Sequence, residues 1–255
     1  MDSPVILAAA FAGYLFAGAM ALAARASHKT VLSRLSVAGS VLGLVAQAAF
    51  TIGRTASGGV LPFASRFEAM ALLGLAVQAS GLLVRFAWRE DTVKAITDVL
   101  SAGLLSAAVF GPGFHAAGNM NPILDSPFFS VHILTAFAGY GVLVAGLAWA
   151  AGRLVDARVA AHQTAARTLA WVAVLTLGIG ILLGAFWADV SWGRYWTWDP
   201  KESWALLTWV VLVAYLHLRT RPRRWLDLAG FALAFVLMLF TFIGINMLKW
   251  GMHKY

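Results

Sequence analysis

Residues 168–188 read T-L-A-W-V-A-V-L-T-L-G-I-G-I-L-L-G-A-F-W-A, a run with no charged side chain. About 20 apolar residues at 1.5 Å each cross roughly 30 Å of hydrocarbon, so this stretch predicts a transmembrane helix. Seven further apolar runs lie at about 4–24, 33–53, 65–87, 95–111, 130–151, 203–219 and 226–247. The run at 95–111 is short and holds Asp98, which makes it the least typical of the set. Composition agrees with the runs. The chain is 61% hydrophobic and 12% charged, with a mean hydropathy of +0.79, whereas soluble domains are about half apolar and a quarter charged. The weakly alternating ten-residue segments of a membrane β-barrel are absent. The sequence therefore predicts an all-α, polytopic membrane bundle of about eight helices, read as one integral membrane domain over residues 1–255. Met1-Asp2-Ser3-Pro4 lacks the basic start of a cleaved signal peptide, so the first run reads as a span.

The formal net charge is +8, and its distribution argues for topology rather than nucleic acid. With the N-terminus outside, the inner connections carry Arg25, Lys29 and Arg34; Arg85, Arg89 and Lys94; Arg153, Arg158 and Arg167; and Arg219, Arg221, Arg223 and Arg224. These are thirteen of the nineteen basic residues. Arg54, Arg66, Arg194, Lys201, Lys249 and Lys254 make up the rest. The asymmetry follows the positive-inside rule and predicts both termini on the outer, periplasmic side of a bacterial cytoplasmic membrane. There is no cysteine, which excludes disulfides, thiolate metal sites and an intrinsic thiol redox couple.

Just beyond the opening run, residues 192–209 read W-G-R-Y-W-T-W-D-P-K-E-S-W-A-L-L-T-W. Five of the eleven tryptophans fall in these eighteen positions, beside Arg194, Tyr195, Asp199, Lys201 and Glu202. Indole faces stack on a flat ligand, while cations and backbone donors hold its acid groups. Haem has that chemistry. The plainer alternative is an interfacial aromatic belt, which accounts for scattered tryptophans but not for one ordered cluster carrying D-P-K-E. The Trp-rich segment 187–209 is thus the candidate binding segment. Its candidate cofactor-binding residues are Trp192, Gly193, Arg194, Tyr195, Trp196, Trp198, Asp199, Lys201, Glu202, Trp204 and Trp209. Asp199 fits a helix cap, with Pro200 at the first position and Glu202 in the first turn, so these two acids are read as bracing the loop. The Pro/Gly-rich stretch Gly111–Pro127 is the other large outer segment, unable to lie in lipid as irregular backbone.

The histidines sort by this topology. His28 and His162 lie among charges in inner loops and read as solvated. His115 sits in the Pro/Gly-rich loop, a poor scaffold for a ligand. His132, at the outer start of the fifth span, and His253, after the eighth, share the side of the Trp motif. Two neutral imidazoles on opposite faces of a haem iron would leave no open position. His217 lies near the inner end of the seventh span, either as an interfacial residue or as a second, inward ligand site. Glu68 follows Ser65 at a capping-box spacing and reads as structural.

The motif L-P-F-A-S-R-F-E at 61–68, S-P-F-F-S-V-H at 126–132, the Trp motif, Y-L-H-L-R at 215–219, and the ending F-T-F-I-G-I-N-M-L-K-W-G-M-H-K-Y together resemble the cytochrome c assembly, or WWD-domain, family. Within it the D-P-K-E form is similar to the CcsA (ResC) branch of System II cytochrome c biogenesis rather than to the haem-delivery branch. The resemblance begins at about Leu61 and leaves residues 1–60 without assignment. It implies haem b as cargo, moved from the cytoplasmic side and presented over the Trp motif for thioether attachment to the C-x-x-C-H motif of an apocytochrome c. It implies His132 and His253 as outer axial ligands and His217 as the inner, intramembrane ligand. Its implied partners are a CcsB/ResB-type membrane subunit that supplies a facing histidine, the apocytochrome, and a thiol-reducing thioredoxin-like protein, within membrane lipid. No residue is expected to be catalytic beyond positioning, and enzyme activity as a haem lyase would belong to the complex. Arg194 and Lys201 are the candidate propionate contacts. The alternative reading is a haem transporter or carrier without ligation activity.

Overall fold

The computed structural model describes residues 4–58, 66–110, 126–156, 159, 162 and 164–245. His253, His115, Ser65 and most of the Gly111–Pro127 stretch lie outside the described residues. Eight helices account for nearly all of what is described: α1 Pro4–Ser27, α2 Thr30–Gly58, α3 Arg66–Trp88, α4 Asp91–Phe110, α5 Pro127–Val155, α6 Ala165–Trp192, α7 Pro200–Leu218 and α8 Arg224–Leu239. A single π-helical turn, Phe240–Gly244, extends α8. Seven of these helices are long and apolar enough to cross a membrane. α7 is the remaining one, because its first turn is Lys201-Glu202-Ser203 and shortens its apolar stretch. The chain is an all-α integral membrane protein, as the sequence predicts.

The helices group into two compact units, residues 1–120 and 121–255. In the first unit α1 packs on α2 and α4, and α3 on α2 and α4. Leu7, Ala10, Tyr14, Phe50, Ala71, Ala102, Leu105 and Ala108 form its apolar core. Beside that core runs a ladder of buried polar groups. The Lys94 Nζ donates to Asp98 Oδ2 at 2.6 Å and to the hydroxyls of Ser36 at 2.6 Å and Ser40 at 3.0 Å. Ser40 and Gln78 each donate to Asp98 Oδ1 at 2.7 Å. Farther along, Tyr14 donates to Gln47, which donates in turn to the Ala71 carbonyl, and Arg54 pairs with Glu68 at 2.7 Å. Asp98, the residue that made the fourth run atypical, is therefore tolerated because its own helix supplies Lys94 four residues earlier. Lys94 belongs to this pair and not to a solvated loop.

In the second unit α5 packs along α6 and against α8, and α7 lies between α6 and α8. Gly139 and Gly180 allow the α5–α6 approach: a Cβ at Gly139 would stand 2.6 Å from Leu177 Cγ, and one at Gly180 would stand 3.1 Å from the Ala136 nitrogen. At one end of the unit, Asp227 of α8 is fully buried and joins three elements. It accepts from Tyr215 at 2.7 Å and Arg219 at 2.5 Å, and pairs with Arg153 of α5. At the other end are the start of α5, the end of α6, the start of α7 and the π-helical turn. α6 has 28 residues, about 42 Å of helix, longer than the roughly 30 Å of hydrocarbon it needs to cross.

Candidate functional site

The end of α6 and the start of α7 shape the Trp motif. Gly193 closes α6 in the left-handed region at φ +70°, its N–H donating to the Asp189 carbonyl, a backbone state that glycine adopts without strain. Asp199 caps α7. Its carboxylate accepts from the Lys201 N–H at 3.0 Å, while Glu202 reaches back to accept from the Asp199 N–H at 3.2 Å. Glu202 also accepts from the backbone N–H of Thr197 at 3.0 Å and from its hydroxyl. One carboxylate thus holds both sides of Trp198, which the chain places in the left-handed region at φ +57°. That state costs a non-glycine residue about 1–2 kcal/mol. Trp198 is 71% exposed, so burial of its ring does not explain the conformation. Held strain of this kind concentrates at ligand sites.

The aromatic residues divide into two sets. Trp192, Trp204 and Trp209 are fastened to the helices: Trp192 stands edge-on to Trp187 at 4.7 Å, Trp204 lies 4.4 Å from Phe240 of the π-helical turn, and the Trp209 indole donates to the Val174 carbonyl at 2.9 Å. Tyr195, Trp196 and Trp198 form the loop's own group. Trp196 and Trp198 meet edge to face at 5.7 Å, and Tyr195 rests against Phe186. Arg194, Tyr195 and Trp198 are exposed. A hydrogen bond to the Asp189 carboxylate raises the Tyr195 phenol above its ordinary range. Burial lowers the Lys201 ammonium, opposed by nearby Asp199. The Trp196 indole nitrogen is buried with no acceptor among the described residues, a donor aimed at nothing that the loop itself provides.

His132 joins this end of the unit through a chain of rings. Phe129 lies 6.1 Å from His132 and 4.4 Å from Trp187, which continues to Trp192. Its Nδ1–H donates to the Gly180 carbonyl of α6 at 2.7 Å. A carbonyl can only accept, so this bond needs the proton on Nδ1, and in the neutral ring the lone pair is then on Nε2. His217 is exposed on α7, its Nδ1 bonded to the Val213 carbonyl one turn back at 2.8 Å. Tyr215 and Arg219 flank it in sequence but are buried with Asp227, so His217 occupies the opposite face. His28 and His162 are exposed. Sequence reasoning took in Trp187 as the first residue of the segment 187–209 and Phe129 and Thr197 only as parts of quoted motifs, and it gave no role to Gly180 or Gly184. Phe129, Trp187 and the two glycines acquire their positions from α5–α6 packing.

These residues fit a flat ligand with a metal centre: an imidazole with a fixed lone pair, an unpartnered indole donor, exposed aromatic faces and flanking cations. Comparison with known proteins gives the family. A family model described as cytochrome c assembly protein matches residues 64–253. The chain is 29% identical to a cytochrome c biogenesis protein CcsA of Synechococcus sp. (strain CC9902), covering 87% of this chain and 86% of that one. It is also 29% identical to the CcsA of Synechococcus sp. (strain CC9311) over 96% and 95%, and 26% identical to that of Oryza sativa over 81% of each. The solved structure of the cytochrome c heme lyase CcmF superposes with a TM-score of 0.74 at 20% identity, covering 93% of this chain and 45% of that one. This last likeness is one of fold. The family match runs through both compact units and takes in the whole Trp motif and both described site histidines, and the chain belongs to the cytochrome c assembly protein family.

Proposed function

We propose that the chain carries haem b as cargo and presents it at the Trp-motif end for covalent attachment to apocytochrome c. The single observation that carries this reading is His132, whose ring is locked with its lone pair on Nε2 beside the aromatic chain that enters the motif. His253 supplies the second axial ligand. Trp196, Trp198 and Tyr195 offer faces and a donor to the macrocycle, and Arg194 with Lys201 neutralises its propionates. Trp192, Trp204, Trp209, Gly193, Asp199 and Glu202 hold the loop in shape.

The reaction asks little more of the protein. Each substrate thiol adds across one vinyl group: sulfur bonds one vinyl carbon, the thiol proton goes to the other, and nothing leaves. No protein nucleophile is required, in keeping with the absence of cysteine. Holding vinyl and thiol together supplies the acceleration, for which oriented intramolecular reactions gain about 7–11 kcal/mol. Bis-histidine ligation keeps the iron coordinatively filled until the substrate's own histidine takes one position.

The exposed His217 is half of an inner site, completed by a histidine of a CcsB/ResB-type subunit, with a thioredoxin-like protein keeping substrate thiols reduced. The complex acts on the periplasmic side of the bacterial cytoplasmic membrane, with both termini of this chain outside. The test is purification of the chain with and without its partner subunit, as wild type, His132→Gly, His253→Gly and His217→Gly. A six-coordinate reduced spectrum lost in the His132 and His253 variants is the expected result; no haem in any preparation refutes the reading. Co-expression with a C-x-x-C-H substrate then separates ligation, which yields a covalent product, from transport alone, which yields none.

A further inference from the structure

α6 carries glycine at 180 and again one turn later at 184: the first offers its carbonyl to His132 and the second lies against its ring. A Cβ on Gly184 would stand 2.7 Å from His132 Cε1, 2.8 Å from Nδ1 and 3.4 Å from Nε2. No side chain tolerates those distances, so the imidazole lies where a residue other than glycine would put its side chain. One turn back, the Gly180 carbonyl takes the Nδ1 proton at 2.7 Å, and a Cβ on Gly180 would press on the Ala136 backbone at 3.1–3.2 Å. One glycine lets α5 come close enough for the hydrogen bond; the other makes room for the ring.

We propose that Gly180 and Gly184 form a positioning slot that fixes His132 as its Nδ1–H tautomer and aims Nε2 at the haem iron. The inference rests on the ligand role given to His132 above. The two glycines touch neither cargo nor substrate; they act through the ring. Donation of Nδ1–H to a carbonyl makes Nε2 a stronger electron donor, which favours ferric over ferrous iron. Loss of the bond therefore raises the midpoint potential, and loss of an outer-shell partner of this kind weakens metal binding about 10–100-fold.

The experiment has two arms. In the first, the full-length haem-free chain is labelled with 15N-histidine and its NMR spectrum recorded at about pH 8, above the ordinary imidazole range, with His132→Gln used for assignment. His132 is expected with Nδ1 protonated and Nε2 unprotonated. An Nε2–H tautomer overturns the proposal without reference to haem. In the second, haem affinity and midpoint potential are compared among wild type, Gly184→Ala, His132→Gly and Gly103→Ala; the last adds a Cβ with nothing within 4 Å. Gly184→Ala is expected to weaken haem binding at least tenfold or to raise the potential, with Gly103→Ala matching wild type. Replacing His132 with Nδ1-methylhistidine, which keeps Nε2 but cannot donate, should also raise the potential if α6 rejects the alanine. Wild-type affinity and potential in Gly184→Ala, with His132→Gly defective, overturn the slot alone. Wild-type haem binding in His132→Gly overturns the ligand reading and the slot with it.

Discussion

Glu202 is the residue on which the loop's geometry turns, and the cost of removing it can be worked from its contacts. Its carboxylate accepts from two backbone N–H groups, at 3.0 and 3.2 Å, and from one hydroxyl, all part-buried. Hydrogen bonds to a charged group are worth about 1.5–3 kcal/mol where sheltered, and partial exposure takes the two backbone bonds together to about 2–3 kcal/mol. Glu202→Ala surrenders all of that. Asp199→Ala loses the cap alone, about 1 kcal/mol. Glu202→Gln keeps an oxygen acceptor and forfeits the charge at the helix N-terminus, about 0.5–1 kcal/mol. If haem binds only the braced loop, each loss appears in apparent affinity. At 1.4 kcal/mol per tenfold, the expected falls are about 30–100-fold, fivefold and two- to fivefold in that order. Haem titration followed by tryptophan quenching reads them, since the motif supplies its own reporters. Near-ultraviolet circular dichroism of the haem-free chain should show the loop loosening in the same order. Glu202→Gln as damaging as Glu202→Ala would refute the reasoning, because it would mean that the charge itself meets the ligand. A wild-type titration for Glu202→Ala would show that loop order and binding are not coupled.

Trp198→Gly should raise the thermal stability of the haem-free chain by up to about 1–2 kcal/mol through relief of the left-handed conformation while lowering haem affinity, and a scan paired with a titration reads both signs. Asp227→Asn removes the carboxylate that partners Arg153, Arg219 and Tyr215; stranding buried cations costs about 3–5 kcal/mol, so detergent-solubilised protein should melt early. Lys94→Met and Asp98→Leu should each destabilise by a similar amount, and the double variant by less than either, since replacing a whole buried pair is often neutral; a double-mutant cycle on thermal unfolding measures it. Tyr195→Phe difference spectra should place the phenolate transition above the ordinary phenol value near pH 10, because Asp189 holds the proton on. Asp189→Asn should lower it; the bond's contribution is full below the ordinary value and is lost as pH climbs through the raised one.

Local signals made the eight helices and the brace of α7 readable from sequence. Each helix contains a long apolar run, the fourth interrupted by Asp98, and the structure lengthens several of them: the run at 130–151 becomes Pro127–Val155, and 33–53 becomes Thr30–Gly58. Asp199, Pro200 and Glu202 announce a helix start because capping involves residues within one turn of each other. Long-range pairings gave no such warning. Lys94 reads as one more inner-loop cation until α2 brings Ser36 and Ser40 to it and α3 brings Gln78 to its partner Asp98. Arg153 and Arg219 likewise read as topology charges, yet both are buried on Asp227. Glu68, spaced for a cap with Ser65, which lies outside the described residues, also pairs with Arg54 from the preceding helix, a contact no local spacing announces.

The two described candidate histidines differ in what orients them. Both set Nδ1 against a backbone carbonyl, which leaves Nε2 as the nitrogen turned away from that bond. His217 finds its acceptor on its own helix, four residues back, and any straight helix would provide it. His132 finds its acceptor forty-eight residues away on α6, which demands the close α5–α6 approach that Gly139 and Gly180 permit. An imidazole oriented by its own helix suits a site completed from outside, where the incoming group sets the final geometry. An imidazole oriented by a second helix suits a site built within the unit, where the ligand must already point the right way when its cargo arrives.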